Sequence, residues 1–164
     1  MATLEGRAPT GSHVEMTEMV LPPDTNYHGT VFGGRILQWI DIAGAISAQR
    51  HCRCKVVTAS IDDMHFVVPI ALGDTVVLKA CVNYVGRSSM EVGVRVEREP
   101  PTADFREHAA TAYLTYVGLD ETGKPTPVAP LLPTSDEEKR RFTNAETRRA
   151  FRLARRKALL AGRD

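Results

Sequence analysis

Residues 35–49 read RILQWIDIAGAISAQ, a segment whose apolar side chains recur at helical spacing but are not confined to one stripe. On a helix these side chains point around nearly the whole circumference, a pattern typical of a helix that is buried on most sides. Asp41 lies in the most apolar part of the segment. Because burying an unpaired carboxylate is costly, Asp41 is either paired with a neighbouring strand or turn, protonated, or functional.

Segments with the period-two alternation of β-strands flank this helix in the sequence. The predicted strands are residues 14–21, 56–61, 75–85, 90–96 and 109–119. A helix that is apolar all round needs cover on more than one side, and a curled sheet provides it. The sequence therefore predicts an α+β domain in which an antiparallel sheet of five or six strands wraps around one long buried helix.

The length of 164 residues fits one domain, and 43% hydrophobic with 25% charged residues is an ordinary globular composition. We expect residues 1–13 to be a disordered leader, residues 14–133 to form the folded domain and residues 134–164 to form a tail. No apolar run approaches the roughly 20 residues that span a bilayer. The N-terminus also lacks the pattern of a signal peptide, so a cytoplasmic protein without a membrane partner is expected.

Charge divides the chain into an acidic body and a basic tail. Residues 139–164 carry a formal net charge of +8, and residues 1–138 carry −7. Ser135 and Glu138 have the spacing of a capping box, which predicts that a basic, weakly amphipathic helix starts there. We expect this helix to pack on the acidic body, with some arginines near a bound anion. Nucleic acid is not the expected partner, because few aromatic side chains are available to stack on bases.

The three cysteines, Cys52, Cys54 and Cys81, are an odd number and are expected to be reduced. The sequence HCRC at residues 51–54 superficially resembles a metal site. A structural zinc site, however, uses two ligand pairs with wider internal spacing, and the sequence has no second pair. We therefore expect neither a metal nor another cofactor.

Turn formers and glycines precede the central helix. Gly33 and Gly34 at the helix start let a ligand approach the backbone, where free N–H groups and the positive end of the helix dipole face it. Such donors can hold the oxygen of a tetrahedral intermediate. Asn26 lies upstream, with a side chain that can donate to a carbonyl or orient water. Asp41 follows Gly34 by seven residues, about two turns further on the same face.

The same residues resemble the signature of an enzyme family. Four blocks carry the likeness in the expected order: NYHGTVFGGRILQWID at 26–41, VVTASID at 56–62, HFVVPIALGD at 65–74 and GRSSMEV at 86–92. They are similar to the hot-dog-fold acyl-CoA thioesterases, which include bacterial broad-specificity enzymes and mammalian cytosolic acyl-CoA hydrolases. The resemblance covers roughly residues 14–130. It implies a hot-dog domain that hydrolyses acyl-CoA thioesters to free fatty acid and coenzyme A.

The resemblance also implies roles for individual residues. Asp41 is expected to be the general base that activates water, or else the nucleophile. Asn26 of the partner subunit positions water or the thioester carbonyl, and the backbone N–H near Gly34 is the oxyanion donor. The residues expected to contact coenzyme A are Gly33, Thr58, Gly86, Arg87, Ser88 and Ser89. The family further implies a homodimer that assembles into a hexamer, a trimer of dimers.

Alternatives remain open at this point. The alternative for Thr58 is a role in the core, and the alternative for Arg87 is a solvated arginine in a hairpin. For the whole protein, one alternative is a hot-dog enoyl-CoA hydratase: DTNYH at 24–28 approaches the Asp-x-Asn-Pro-x-x-His pattern of such enzymes, but it lacks the proline and brings the histidine too close. The other is a non-catalytic acyl-CoA-binding regulator that uses the basic tail on nucleic acid.

Overall fold

The computed structural model describes residues 4–161 of the chain. Its principal elements are β1 (Val14–Met19), α1 (Gly33–Cys52), β2 (Lys55–Ile61), β3 (Thr75–Val85), β4 (Ser89–Glu99), β5 (Glu107–Leu119) and α2 (Asp136–Ala161). The five strands form one sheet in the order β1-β3-β4-β5-β2. All neighbouring strands in this sheet are antiparallel.

The central helix α1 packs against one face of the sheet and contacts all five strands. Ile36, Ile40 and Ala43 of α1 are fully buried. The alternate residues that face them from β3 and β4 are those predicted by periodicity: Val76, Leu78, Ala80, Val82, Met90, Val92, Val94 and Val96. A sheet curled around one buried helix is the hot-dog arrangement, so the predicted α+β fold is confirmed, with five strands.

Residues 4–13 are ordered, so the prediction of a disordered leader is wrong there; residues 1–3 lie outside the described part of the chain. The backbone of Arg7 forms two hydrogen bonds of 2.8 Å with the segment at 130–132. Ser12 is fully buried, and its hydroxyl oxygen accepts a backbone N–H of β3 at 3.0 Å. These hydrogen bonds depend on the segments that lie opposite residues 4–13 in the fold, and the small polar residues of 4–13 do not indicate which segments those are.

The C-terminal helix α2 covers the outer face of the sheet. Its capping box forms as predicted: the Ser135 N–H donates to Glu138 Oε2 at 3.0 Å, and the Glu138 N–H donates to Ser135 Oγ at 3.2 Å. Ala145 of α2 is fully buried, and the Phe142 ring lies 5.1 Å from that of Tyr84 on β3. The predicted C-terminal helix is therefore confirmed. In the described part of the chain, neither helix combines the length and hydropathy that crossing a bilayer requires.

Two arginines fasten α2 to acidic residues of its own protomer. Glu91, on the outer face of β4, is only 2% exposed. Its carboxylate accepts hydrogen bonds from Arg148 at 2.6 Å and from Arg152 at 2.8 Å. Arg152 also donates to Asp62, directly after β2, at 2.6 Å. These contacts confirm that the basic helix packs on the acidic body, and they leave the buried Glu91 with two compensating charges.

Candidate active site

The Asp41 carboxylate is held at one oxygen by two hydroxyl groups. Thr58 on β2 donates to Asp41 Oδ1 at 2.7 Å, and Tyr116 on β5 donates to the same oxygen at 3.0 Å. The Tyr116 hydroxyl also lies 2.9 Å from the Asp41 carbonyl oxygen. No residue in the described chain donates to Oδ2. The side chain is therefore fixed in orientation while one oxygen remains available for chemistry.

Strand pairing brings the two hydroxyls to the same place. Thr58 and Tyr116 are directly opposite one another in the β2–β5 ladder, so both side chains project from one face of the sheet towards α1. Tyr116 is fully buried. Burial, followed by the negative charge of Asp41, raises the pKa of the Tyr116 hydroxyl well above its usual range. The hydroxyl therefore stays protonated and acts as a donor to the carboxylate.

Gly44 allows the close approach of Tyr116 to α1. A Cβ atom at this position would overlap the Tyr116 hydroxyl and lie 3.1 Å from two carbons of its ring. The Tyr116 ring is fully buried among the core side chains, so displacing it would disturb their packing. A glycine one turn after Asp41 is thus required by the hydrogen bond that holds the carboxylate.

We predict that Gly44→Ala displaces the Tyr116 ring, lowers the free energy of unfolding by about 1–3 kcal/mol through overpacking, and lowers kcat. Thermal denaturation and steady-state kinetics measure the two effects. Gly11→Ala is the matched control, because a Cβ there meets nothing within 4 Å. Equal melting temperatures and equal kcat for the two variants would show that Tyr116 is not held in this way.

Asn26 is engaged within its own loop. Its Oδ1 accepts the His28 N–H at 2.9 Å, and its Nδ2 donates to Thr30 Oγ1 at 3.0 Å. Gly29 closes the loop with a φ of +75°, a conformation that favours glycine. Among the described side chains, no hydrogen bond joins Asn26 to Asp41 of the same protomer. Within one protomer, Asn26 and Asp41 thus belong to separate hydrogen-bonded groups.

The N-terminus of α1 presents free backbone donors. The N-cap residue is Phe32, whose side chain makes no capping hydrogen bond. Its carbonyl accepts from Arg35 and Ile36, whereas the N–H groups of Gly33 and Gly34 reach no acceptor in residues 4–161. A Cβ on Gly34 would meet nothing within 4 Å, so the space on the side-chain side of its Cα is open. These donors suit a negatively charged oxygen.

The turn predicted to contact coenzyme A is a rigid hairpin. The Gly86 N–H donates to Ser89 O at 2.7 Å, and the Ser88 carbonyl accepts a backbone N–H of β5 at 2.9 Å. The Arg87 side chain is exposed and has no carboxylate partner in the described part of the chain. The turn is thus held by its backbone, and its cation is free to meet an anion.

Cys52 is the last residue of α1, Cys54 follows two residues later and Cys81 lies on β3; all three thiols are free. Burial raises the pKa of the Cys52 thiol to about 11, so this group stays protonated at neutral pH. A metal binds the thiolate rather than the thiol. Within the described residues, no group of three or more His, Cys, Asp or Glu side chains has the arrangement of a metal site.

Within one protomer, the structure brings together only part of the predicted site. Asp41 and Thr58 meet, and the Thr58 hydroxyl binds the carboxylate. Asn26, the α1 N-terminus and the turn form separate groups. Sequence reasoning missed Tyr116, although period-two alternation puts it on the buried face of β5, where a tyrosine hydroxyl needs a partner.

Comparison with known proteins adds a family to this geometry. A model described as the thioesterase superfamily matches residues 28–104. An uncharacterised acyl-CoA thioester hydrolase of Bacillus subtilis is 48% identical over 138 residues, which are 84% of this chain and 80% of that protein. The chain belongs to the thioesterase superfamily. It is also 35% identical to a cytosolic acyl coenzyme A thioester hydrolase of Rattus norvegicus, over 84% of this chain but 36% of that longer protein.

Solved structures agree with this membership. An acyl-CoA hydrolase from Staphylococcus aureus, solved with butyryl coenzyme A, coenzyme A and coenzyme A disulfide, is 38% identical over 95% of both chains, with a TM-score of 0.88. Variants of that enzyme with one asparagine, one aspartate or one threonine replaced by alanine have also been solved. A hexameric acyl-CoA thioesterase is 40% identical to this chain, with a TM-score of 0.89. The match covers 93% of this chain and 97% of the thioesterase chain.

Proposed function

We propose that the protein hydrolyses acyl-CoA thioesters to free fatty acid and coenzyme A. The observation that carries this proposal is the Asp41 carboxylate, anchored at Oδ1 by Thr58 and Tyr116 and free at Oδ2. One positioned carboxylate and an oxyanion site suffice for a thioester, because a thiolate leaves readily. The named activities of the relatives from Bacillus subtilis and Staphylococcus aureus support the same chemistry.

In the general-base route, Asp41 Oδ2 takes a proton from water, and the water oxygen attacks the thioester carbonyl. The backbone N–H of Gly34 stabilises the oxyanion of the tetrahedral intermediate. The carbon–sulfur bond then breaks, and the proton held by Asp41 passes to the departing thiolate of coenzyme A. In the nucleophilic route, Oδ2 itself attacks the carbonyl and expels the thiolate, and water hydrolyses the resulting anhydride. Both routes use the same free oxygen.

A complete site requires two protomers in this proposal. Along α1, Gly34 and Asp41 of one chain are about 10 Å apart, since seven residues of a helix rise by that amount. The attacking oxygen and the carbonyl carbon have to lie within about 3–3.5 Å of one another. We therefore assign Asn26 and Gly34 to one protomer and Asp41 to its partner in the dimer.

Exposed apolar side chains support a dimer that is formed around this site. Tyr27 is 93% exposed, Phe66 is 47% exposed, and Val57 and Ile61 on the edge strand β2 are 47% and 44% exposed. Apolar surface of this kind is normally buried in an obligate interface. The existence of a hexameric relative supports the further assembly of such dimers into a trimer of dimers.

The residues replaced in the Staphylococcus aureus enzyme support the assignment of the site. In that chain the replaced asparagine and aspartate are 15 positions apart, and the aspartate and threonine are 17 apart. Asn26, Asp41 and Thr58 have the same two separations here. We infer that the three positions correspond, and that Thr58 acts on the carboxylate through its hydrogen bond.

A cytoplasmic location is part of the proposal, supported by the cytosolic relative from Rattus norvegicus. No cofactor is included, because each step of either route uses only protein groups and water.

We predict that the purified protein releases one free thiol for each acyl-CoA consumed, across a series from acetyl-CoA to palmitoyl-CoA. A thiol reagent measures the release, and mass spectrometry identifies the free acid. An enoyl-CoA substrate is included, since hydration would consume it without releasing a thiol. Absence of thiol release with every chain length would overturn the proposal. Hydration of the enoyl-CoA without thiol release would show that the protein is a hydratase instead.

A further inference from the structure

A groove of about 1210 Å³ runs between the second half of α2 and the outer face of the sheet. One wall is formed by residues 59–63, which begin directly after Thr58 on β2. The other wall is formed by α2 from Arg148 onwards, and Tyr84 and Ser89 lie at the end towards the β3–β4 turn. The groove therefore extends from β2, whose Thr58 donates a hydrogen bond to Asp41, to the β3–β4 turn that contains Arg87.

Five arginines dominate the charge of this groove, and four of them fall into two groups. Arg148 and Arg152 are bound to the buried Glu91, so they hold the helix in place. Arg149 and Arg156 also line the groove, and neither has a carboxylate partner within residues 4–161. Two cations without counter-charges in a concave surface attract an anion.

A weaker pair modifies this charge. Arg155 lies 3.5 Å from Asp63, and both side chains are highly exposed, at 70% and 81%. Solvent screens such a pair strongly, so it holds neither partner firmly. Asp63 is the one carboxylate in the groove that opposes an anionic ligand, since Asp62 and Glu91 are already neutralised by the two clamping arginines.

Apolar and aromatic side chains lie among these cations. Phe151 is 71% exposed, and Leu159 and Leu160 are 64% and 54% exposed. Tyr84 faces the groove from β3, and its ring centroid is 5.8 Å from the Arg149 guanidinium. A planar aromatic ligand can stack on such side chains while the arginines bind its phosphates.

We propose that this groove binds the 3′-phosphorylated adenosine diphosphate end of coenzyme A, with Arg149 and Arg156 as phosphate ligands. This inference rests on the proposed function and adds to it a subsite on α2. A nucleotide with a planar base and several phosphate charges matches both the aromatic surface and the unpaired cations. Thr58 and Asp62 are four residues apart, about 13 Å along an extended strand, so the groove begins within about 13 Å of the residue that binds the Asp41 carboxylate.

The test compares substrates with and without the nucleotide. In the full-length protein, the double variant Arg149→Gln, Arg156→Gln is expected to raise KM for acyl-CoA about 10-fold, as befits the loss of charge-assisted phosphate contacts. Because these contacts are far from the thioester, kcat should stay unchanged. With acyl-pantetheine, which lacks the nucleotide, the variant and the wild type should have the same KM. Adenosine 3′,5′-bisphosphate should inhibit the wild type and lose about 10-fold in potency against the variant.

The matched control is Lys139→Gln, Arg140→Gln, which removes the same charge from the first half of α2, outside the groove. Its KM should stay at the wild-type value. An equal rise of KM in both double variants would show that the net charge of the protein, rather than the groove, affects substrate binding. An unchanged KM in the Arg149→Gln, Arg156→Gln variant would overturn the subsite. A change in the oligomer mass of the Arg149→Gln, Arg156→Gln variant, measured by sedimentation, would show that the groove contacts a second copy of the chain and would overturn the nucleotide subsite.

Failure of the subsite is distinguishable from failure of the proposed function. Binding of adenosine 3′,5′-bisphosphate is measured by calorimetry and does not depend on turnover. If the wild type releases no thiol from any acyl-CoA but binds this nucleotide through Arg149 and Arg156, the proposed hydrolysis is wrong and the subsite stands. If the wild type releases thiol but does not bind the nucleotide, the subsite is wrong and the proposed hydrolysis stands.

Discussion

Asp41→Asn is expected to retain the fold and to lower kcat for acyl-CoA hydrolysis by at least about two orders of magnitude, the usual contribution of a positioned general base. The amide oxygen of asparagine can still accept the hydrogen bonds that Thr58 and Tyr116 donate to Oδ1. An –NH2 group replaces Oδ2, however, and this group neither takes a proton from water nor attacks a carbonyl. Thiol release under saturating substrate measures the loss.

Thermal denaturation controls for this prediction. Because the substitution keeps the shape of the side chain, we expect the melting temperature to change by only a few degrees, as for an ordinary surface or half-buried substitution. A folded variant with kcat within a few-fold of the wild type would remove Asp41 from the chemistry. Label found in Asp41 after a single turnover of the wild type in ¹⁸O-labelled water would identify the nucleophilic route, since it enters only when an anhydride has formed and been hydrolysed at the protein carbonyl.

The sequence predicted the elements of the fold because their periodicity is a local property. The apolar circumference of α1 requires burial from several sides, and the alternation along β3 and β4 identifies the residues that bury it. Ser135 and Glu138 likewise predict the start of α2 from four consecutive residues. Each of these patterns is complete within one segment, so no knowledge of distant contacts is needed.

The contacts that shape the site are of another kind. Asp41 was identified because a carboxylate in an apolar helix is costly, but its partners come from β2 and β5, 17 and 75 residues later. Their convergence depends on strand order and register, and neither is visible in one segment. The same reason applies to Arg7, whose backbone pairs with a segment more than a hundred residues away. Tyr116 was detectable as a buried hydroxyl that needs a partner, whereas the identity of its partner was not.

Asn26→Ala and Asp41→Asn are expected to be nearly inactive as separate homomers and to regain activity when they are unfolded together and refolded. In a dimer with one chain of each kind, one site carries both substitutions and is inactive, while the other combines the intact Asn26 of one chain with the intact Asp41 of its partner. Random pairing of equal amounts therefore restores about a quarter of the wild-type sites, since half of the dimers are mixed and each mixed dimer has one intact site of two.

The expected recovery follows from distances within a single chain. Asn26 is bound into its own loop, and the open N–H groups of Gly33 and Gly34 are about two turns of α1 away from Asp41, roughly 10 Å. If one chain supplied both Asn26 and Asp41, every mixed dimer would contain only damaged sites, and refolding would restore nothing. Different affinity tags on the two variants allow the mixed dimers to be purified before thiol release is measured, so that a lack of activity cannot be attributed to a lack of mixing. Activity near half of the wild type in these purified dimers is the expected result, and no activity in them would place the asparagine and the aspartate in the same protomer or exclude one of them from the site.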